Sequence, residues 1–364
     1  MASHRAAERV QNHGCLALRN VAAASTPCHM LVLCAGGVEA IVGAIDAHRG
    51  LPEVQNHGCM GLEMLLRSTG EAVAPRLGSS HMHDGLYPIF EALEGFSEST
   101  RTETLIRCFG AKALHVPTRL INTNCVPLLL AAQRAHEGRQ DVQEHVCMVL
   151  RKMAVSAPSD LRVRMTFLGC MDQVLAAMMS HPHSERLQED CSVILSCLAR
   201  TSKGNKKKLV DMGGVERLQE ALRFHPGSPE VQISGCDSLR CLTGPETQQR
   251  IASLGVTALA LAALRSHVTV AELHVSVCAL VQSLVSGNEV NRADAVLLDA
   301  IPTIVEAALV HDKTCTVLEE ALPLLRELVE ESTDSRDKFC STGGEGLVVR
   351  AMQEFTSSET VQEP

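Results

Sequence analysis

A twelve-residue phrase recurs along this chain, and its recurrence constrains the fold more than any other feature. From Val10 the sequence reads VQNHGCLALRNV, and from Val54 to Leu65 it reads VQNHGCMGLEML. Weaker copies, VQEHVCMVLRKM and VQISGCDSLRCL, begin at Val142 and Val231. With the cysteine as anchor and apolar residues three and six places later, the register extends through Cys15, Cys59, Cys108, Cys147, Ser192, Cys236, Cys278 and Leu322. The spacings are 44, 49, 39, 45, 44, 42 and 44 residues. A helical pattern with a period in the low forties predicts a stack of helical repeats, because each unit can bury its apolar stripe only against its neighbours.

A second phrase alternates with the first. AGGVEAIVGAI from Ala35, HDGLYPIFEAL from His83, NCVPLLLAAQ from Asn124, GCMDQVLAAM from Gly169 and GGVERLQEAL from Gly213 each open on a small or Gly-rich turn. LGVTALALAAL from Leu254, DAIPTIVEAAL from Asp299 and GGEGLVVRAM from Gly343 continue the series. Each then runs on with apolar residues at helical spacing. Shorter polar segments precede several of them, such as SKGNKKKLVDM from Ser202 to Met212 and NEVNRADAVLLD from Asn288. The unit is thus three helices: a short one, a Gly-led one and the anchor helix. The anchor helices are expected near 10–22, 54–66, 103–115, 142–154, 187–199, 231–243, 273–285 and 317–329. The whole of 1–364 is expected to be one solenoid domain that begins and ends in mid-repeat.

Composition narrows the function classes. Hydrophobic residues make up 45% of the chain, enough for a continuous core, but aromatics only 2%, with no Trp. Few platforms remain for stacking bases, sugars or flavins. A net charge of −9 argues against nonspecific binding to nucleic acid. No apolar run approaches the roughly 20 residues that a membrane span needs. Six of the fifteen cysteines hold the anchor position about one repeat apart. Stacked helices lie at roughly 10 Å, beyond the roughly 7 Å that a disulfide permits. The cysteines therefore read as small buried hydrophobes in a reducing compartment, and the expected localisation is cytoplasmic. Lys203, Lys206, Lys207 and Lys208 leave the nucleus open as a second location, although a solvated helix face is the preferred reading of that cluster.

The histidines do not form a metal site in this register. His48, His136, His181, His225, His267 and His311 fall near the ends of Gly-led helices, where a cation is favoured by the helix C-terminus. His13, His57 and His145 stand two places before the anchor, so a histidine and its cysteine point to different faces. No cofactor, metal or catalytic residue is expected, since Cys and His recur as part of a structural period and not as one distinct constellation.

The tripartite unit with its GG turn and VQxxGCxxLxxL helix resembles the armadillo repeat, over nearly the whole chain and most loosely at 66–107. Among armadillo proteins it is closest in style to the tandem VQ-H-G-C proteins of protists and algae and to vacuolar armadillo proteins. The resemblance implies an all-α, right-handed superhelical solenoid of about eight three-helix repeats, acting as a protein-interaction scaffold and not as an enzyme. It also implies a groove lined by anchor-helix positions +1, +4 and +5, where extended peptide segments of partner proteins bind. Those positions supply Leu16, Arg19, Asn20, Met60, Met64, Phe109, Lys112, Met148, Arg151, Lys152, Arg240 and Arg326 as the candidate site. Nuclear-import adaptors of this family carry Trp at +1 and Asn at +5. Here Trp is absent and only Asn20 keeps the Asn, so that role is disfavoured. The +4 row is basic at five of eight repeats, which resembles armadillo proteins that take acidic ligands. The alternative is the interaction segment of a larger kinase- or GTPase-type protein. Partner identity and oligomeric state stay open.

Overall fold

The structure, a computed structural model, describes residues 1, 4–24, 26–71, 125–330, 332–356 and 358–362. The described residues form helices joined by short turns, with no strand among them. The expected anchor helix at 103–115, with Phe109 and Lys112, and the Gly-led segment from His83 lie outside the described residues. The chain divides into two compact units, Met1–His181 and Pro182–Pro364.

In unit 1 the helices are α1 (Glu8–Ala24), α2 (Thr26–Cys34), α3 (Gly37–Ala47), α4 (Pro52–Glu71), α5 (Cys125–Ala135), α6 (Gln140–Ser156), α7 (Ser159–Phe167) and α8 (Cys170–Ser180). Unit 2 begins with α9 (Glu185–Ala199), α10 (Lys203–Asp211), α11 (Gly214–Phe224), α12 (Pro229–Leu242), α13 (Gln248–Ser253) and α14 (Val256–Ser266). It continues with α15 (Ala271–Val285), α16 (Glu289–Leu297), α17 (Ala300–Val310), α18 (Cys315–Val329), α19 (Thr333–Ser341), α20 (Gly344–Glu354) and α21 (Glu359–Gln362). The seven expected anchor helices that fall in the described residues are α1, α4, α6, α9, α12, α15 and α18. Each starts within two residues of its expected position.

The local physics of one repeat is clearest at Gly213–Gly214. Gly213 takes φ 81°, a left-handed conformation that costs a side-chain-bearing residue energy. It turns the chain from α10 into α11. A Cβ on Gly214 would lie 2.5 Å from Leu209 Cδ1, so the close crossing of the two helices needs its absence. The same left-handed turn occurs at Gly36, Gly169, Gly255 and Gly343, and Asp299 takes it with φ 57°. At the other end of α11, Gln232 of the anchor helix donates from Nε2 to the Leu222 and His225 carbonyls, 2.8 Å each. These are orphan carbonyls of a helix C-terminus, satisfied from the next helix. Gln55 and Gln143 repeat the arrangement on carbonyls ten and seven residues back. Gln11 does so on Met1 and His4. This is the physical meaning of the Gln in VQ.

Anchor helices pack on one another and on their own Gly-led helices within each unit: α1 on α4, α9 on α12, α12 on α15, α15 on α18. The anchors Cys15, Cys59, Cys147, Ser192, Cys236 and Cys278 are fully buried, and Leu322 almost so. One step departs from the expected ladder. Helix α4 packs directly on α6, and α3 meets α5. The sequence reading placed a further repeat between Cys59 and Cys147; the packing makes those two repeats spatial neighbours.

Candidate partner-binding faces

Seven candidate residues of unit 1 lie on three neighbouring helices. Leu16 and Arg19 on α1, Met60 and Met64 on α4, and Arg151 and Lys152 on α6 are all half-buried, and Asn20 is exposed. Periodicity put them on the arc away from the core, and they are partly accessible there. Met148 is a correction. Expected on the exposed arc, it is only 6% exposed. Position +1 adjoins the packed arc, and a long unbranched side chain there can lie down into the seam between helices.

The charges of this face are not all cationic. Glu63 holds the +4 position of α4, is 8% exposed, and places its carboxylate 3.6 Å from Lys152 Nζ. Around it runs a polar row that the groove reading left out. His57 Nδ1 donates to Asn12 Oδ1 at 2.5 Å, joining α4 to α1. His13 and His145 direct Nδ1 to the carbonyls of Arg9 and Asp141, each at 2.7 Å. Burial lowers the pKa of His57, and Arg19, His13 and His145 lower it further, so the central imidazole resists gaining a charge. Asn56 donates to Asp141 at 3.3 Å, and Arg139 stands 3.9 Å from Glu53.

In unit 2, Arg240 on α12 and Arg326 on α18 are both exposed and lie two anchor helices apart, with α15 between. Arg240 Nε is 3.9 Å from Asp237, a loose contact. At the +5 positions, Arg200 Nε donates to Cys241 Sγ at 2.9 Å, and Glu327 accepts from Ser286 at 3.0 Å and from Gln282. This face is therefore already internally bonded at several places.

The buried thiols are chemically quiet. Desolvation pushes the Cys15 and Cys125 pKa up to about 12, and that of Cys59, Cys236 and Cys278 well above the ordinary thiol range. Among the described residues, no three His, Cys, Asp or Glu side chains converge as a metal site would need. No helix there is long and apolar enough to cross a membrane.

The histidines at the ends of the Gly-led helices have a role that dipole reasoning missed. His48 Nε2 donates to the carbonyl of Arg5, 2.8 Å away. His136 donates to Arg49 at 2.9 Å and His181 to Glu137 at 2.7 Å. In unit 2, His225 reaches Pro182 at 2.7 Å, His267 Pro226 at 2.8 Å and His311 Val268 at 2.9 Å. From the second onward, each acceptor is the residue just after the histidine of the repeat before it. A carbonyl only accepts, so each imidazole must carry its proton on Nε2. The sequence signal was available: His4 precedes Arg5 and stands seven residues before Gln11, in the same register.

No family model matches the sequence. The structure is similar to crystal structures of two engineered proteins from the Northeast Structural Genomics Consortium. One is 19% identical, with 98% of this chain and 83% of that one covered and a TM-score of 0.65. The other is 20% identical, covering 66% of this chain and 93% of that one, with a TM-score of 0.54. The likeness is one of fold: an all-helical chain whose helices pack neighbour on neighbour.

Proposed function

We propose that this chain is a non-enzymatic, armadillo-type scaffold that binds an extended, acidic segment of a partner protein on the unit 1 face of α1, α4 and α6. The reading rests above all on the juxtaposition, on three packed helices, of partly accessible apolar side chains and flanking cations. Leu16, Met60 and Met64 offer adaptable apolar contact, and methionine suits a surface that takes more than one shape. Arg19 and Arg151 stand beside them. An extended strand rises about 3.3 Å per residue, so helices spaced at roughly 10 Å match every third ligand residue. An acidic residue at that interval would meet one cation per helix, except at α4, where Glu63 occupies the equivalent place. Each such exposed pair contributes about 0.2–1 kcal/mol, so binding depends on the set and weakens with salt.

The test is Arg19→Glu with Arg151→Glu, leaving Lys152 in place because its reversal would set a second carboxylate beside Glu63. Affinity purification should then lose acidic-segment partners while the melting temperature stays put. Partners retained through the double reversal would remove this face from consideration.

A further inference from the structure

Three histidines hold one register position, two places before the anchor, on the packed helices of unit 1: His13 on α1, His57 on α4 and His145 on α6. The repeat itself does not require an imidazole there. The same position in unit 2 holds Asp190, Ser234, Ser276 and Glu320, on anchor helices that pack neighbour on neighbour in the same way. The three rings share one arrangement. Nδ1 of His13 and of His145 lies 2.7 Å from a carbonyl one turn back in its own helix, and Nδ1 of His57 is bonded to Asn12 Oδ1. Those oxygens only accept, so Nδ1 carries the proton in each ring, and Nε2 of a neutral ring holds a lone pair. His13 is exposed, and His57 and His145 are half-buried. Each stands three places before a +1 residue, Leu16, Met60 or Met148, and residues three apart are neighbours on a helix surface. Arg19, a cation of the candidate face, acts electrostatically on His57.

We propose that this imidazole row couples the unit 1 face to protons: an acidic segment binds there with proton uptake shared over His13, His57 and His145, so binding tightens as pH falls from 8 to 6. The inference rests on the reading of this face as an acidic-segment site. Its chemistry is a change of sign. A neutral ring offers a carboxylate only the Nε2 lone pair, which repels it. Protonated, the same nitrogen becomes a charged N–H donor. The groups that act on His57 are Arg19 and His13 of α1, Glu53 of its own helix and His145 of α6. Only Glu53 favours a charge there; burial and the other three oppose it, so His57 is neutral near pH 7 in the unliganded protein. A ligand carboxylate laid along the row acts as Glu53 does and draws a proton from solution onto Nε2. Ligand Asp and Glu ionise near pH 4, so between pH 8 and pH 6 it is the imidazoles that change charge. By linkage, whatever factor the ligand adds to proton affinity the proton adds to ligand affinity.

Isothermal titration calorimetry of the full chain with a synthetic extended peptide, Asp at every third position, tests this. The dissociation constant should fall about tenfold from pH 8 to pH 6, the effect of about one proton taken up over part of that range. At pH 6.5, two buffers of different ionisation heat should report that uptake as a difference in binding enthalpy. His13→Gln, His57→Gln and His145→Gln together should abolish both the uptake and the gain at pH 6. His57 joins α4 to α1, so the triple variant could unfold that seam. The pair His13→Gln with His145→Gln guards against this, because the bonds of those two rings run within their own helices. The pair should lose part of the uptake while circular dichroism stays unchanged. Equal affinity at pH 8 and pH 6 overturns the inference and leaves the acidic-segment reading standing, as does uptake undiminished in the pair variant. A peptide that binds at neither pH removes that reading, and the inference with it.

Discussion

The seam between α4 and α6 in unit 1 and the seams of unit 2 use the same histidine staple but differ in what surrounds it. In unit 2 the stapled residues are 41 to 43 apart in sequence, and the side-chain bonds beside them also join residues about one repeat apart, such as Ser238 Oγ to the Ser192 carbonyl at 2.8 Å and Ser286 to Glu327 at 3.0 Å. Between α3–α4 and α5–α6 the staple from His136 to Arg49 spans 87 residues, and charged and amide side chains accompany it. Lys152 meets Glu63, Arg139 faces Glu53, and Asn56 reaches Asp141. Doubling a connection adds only about 0.6 kcal/mol of closure entropy, whereas one net hydrogen bond contributes about 0.5–1.5 kcal/mol. A single staple thus offsets the longer connection. The polar pairs answer a different need. A joint whose partners are distant in sequence gains from side chains that fit only one mate, and Glu63 with Lys152 is such a pair.

The largest effect should come from charging the core of one unit at a time. Cys236→Asp puts a carboxylate at a fully buried, apolar site in unit 2, and Cys59→Asp does the same in unit 1. An unpaired buried charge costs several kcal/mol, enough to melt the helices around it. Hydrogen exchange should show protection lost in the unit that carries the change and kept in the other. Loss across both units from either single change would mean that they unfold as one, and the comparison of their seams would lose its basis.

Acid should next separate the units. His274 on α15 is fully buried, neither ring nitrogen has a partner, and its ring centroid lies 6.0 Å from that of His311. Burial first, and His311 second, lower its pKa to about 4 from an ordinary 6.5. The folded state therefore holds it neutral while the unfolded chain protonates it. Stability from this group is whole above pH 6.5 and is lost as pH falls toward 4, by roughly 3 kcal/mol for a shift of that size. In unit 1, burial also lowers the pKa of His29, with the Leu65 carbonyl opposing, and that of the half-buried His57. Urea melts at pH 7 and pH 4.5 should show unit 2 losing more. His274→Leu should remove most of that difference; an unchanged pH dependence in the variant would place the acid sensitivity elsewhere.

The sequence made the repeat legible because a period needs no side-chain detail. Cys15, Cys59, Cys147, Cys236 and Cys278 are all buried as the register required, and the helix starts followed from the VQ phrase and its Gly-led counterpart. What stayed hidden was which repeats touch. Spacings of 49 and 39 around Cys108 look almost regular, and the sequence carries no sign that α4 meets α6 directly. The candidate face was half legible. Helical angle placed Arg19 and Met60 on the accessible arc, but it cannot tell that Met148 is buried or that Glu63 faces Lys152. Those depend on the neighbouring helix, which periodicity within one helix does not encode. The histidine staple was readable in principle, since its seven-residue spacing to the Gln recurs from His4 to His225, but only with the idea that the side chain serves the preceding repeat.

The smallest effect tests the staple itself. His225→Phe in unit 2 and His136→Phe between α5 and α3 keep a ring of similar size and remove the Nε2 donor. His225 is buried, and its bond to the Pro182 carbonyl is partly shielded from water. That carbonyl would lose its partner where water enters poorly, at a cost of about 1–2 kcal/mol. The bond from His136 to Arg49 is exposed, so water can replace the donor, and the loss should be under about 1 kcal/mol. Denaturant midpoints of the two variants settle the order. If His136→Phe costs more than His225→Phe, the seam across the long connection depends on its staple, and the accompanying pairs of Lys152 and Asn56 are secondary. If it costs less, as expected, Lys152→Met should be the more damaging change there, since it takes the Lys152 cation away from the nearly buried Glu63 carboxylate.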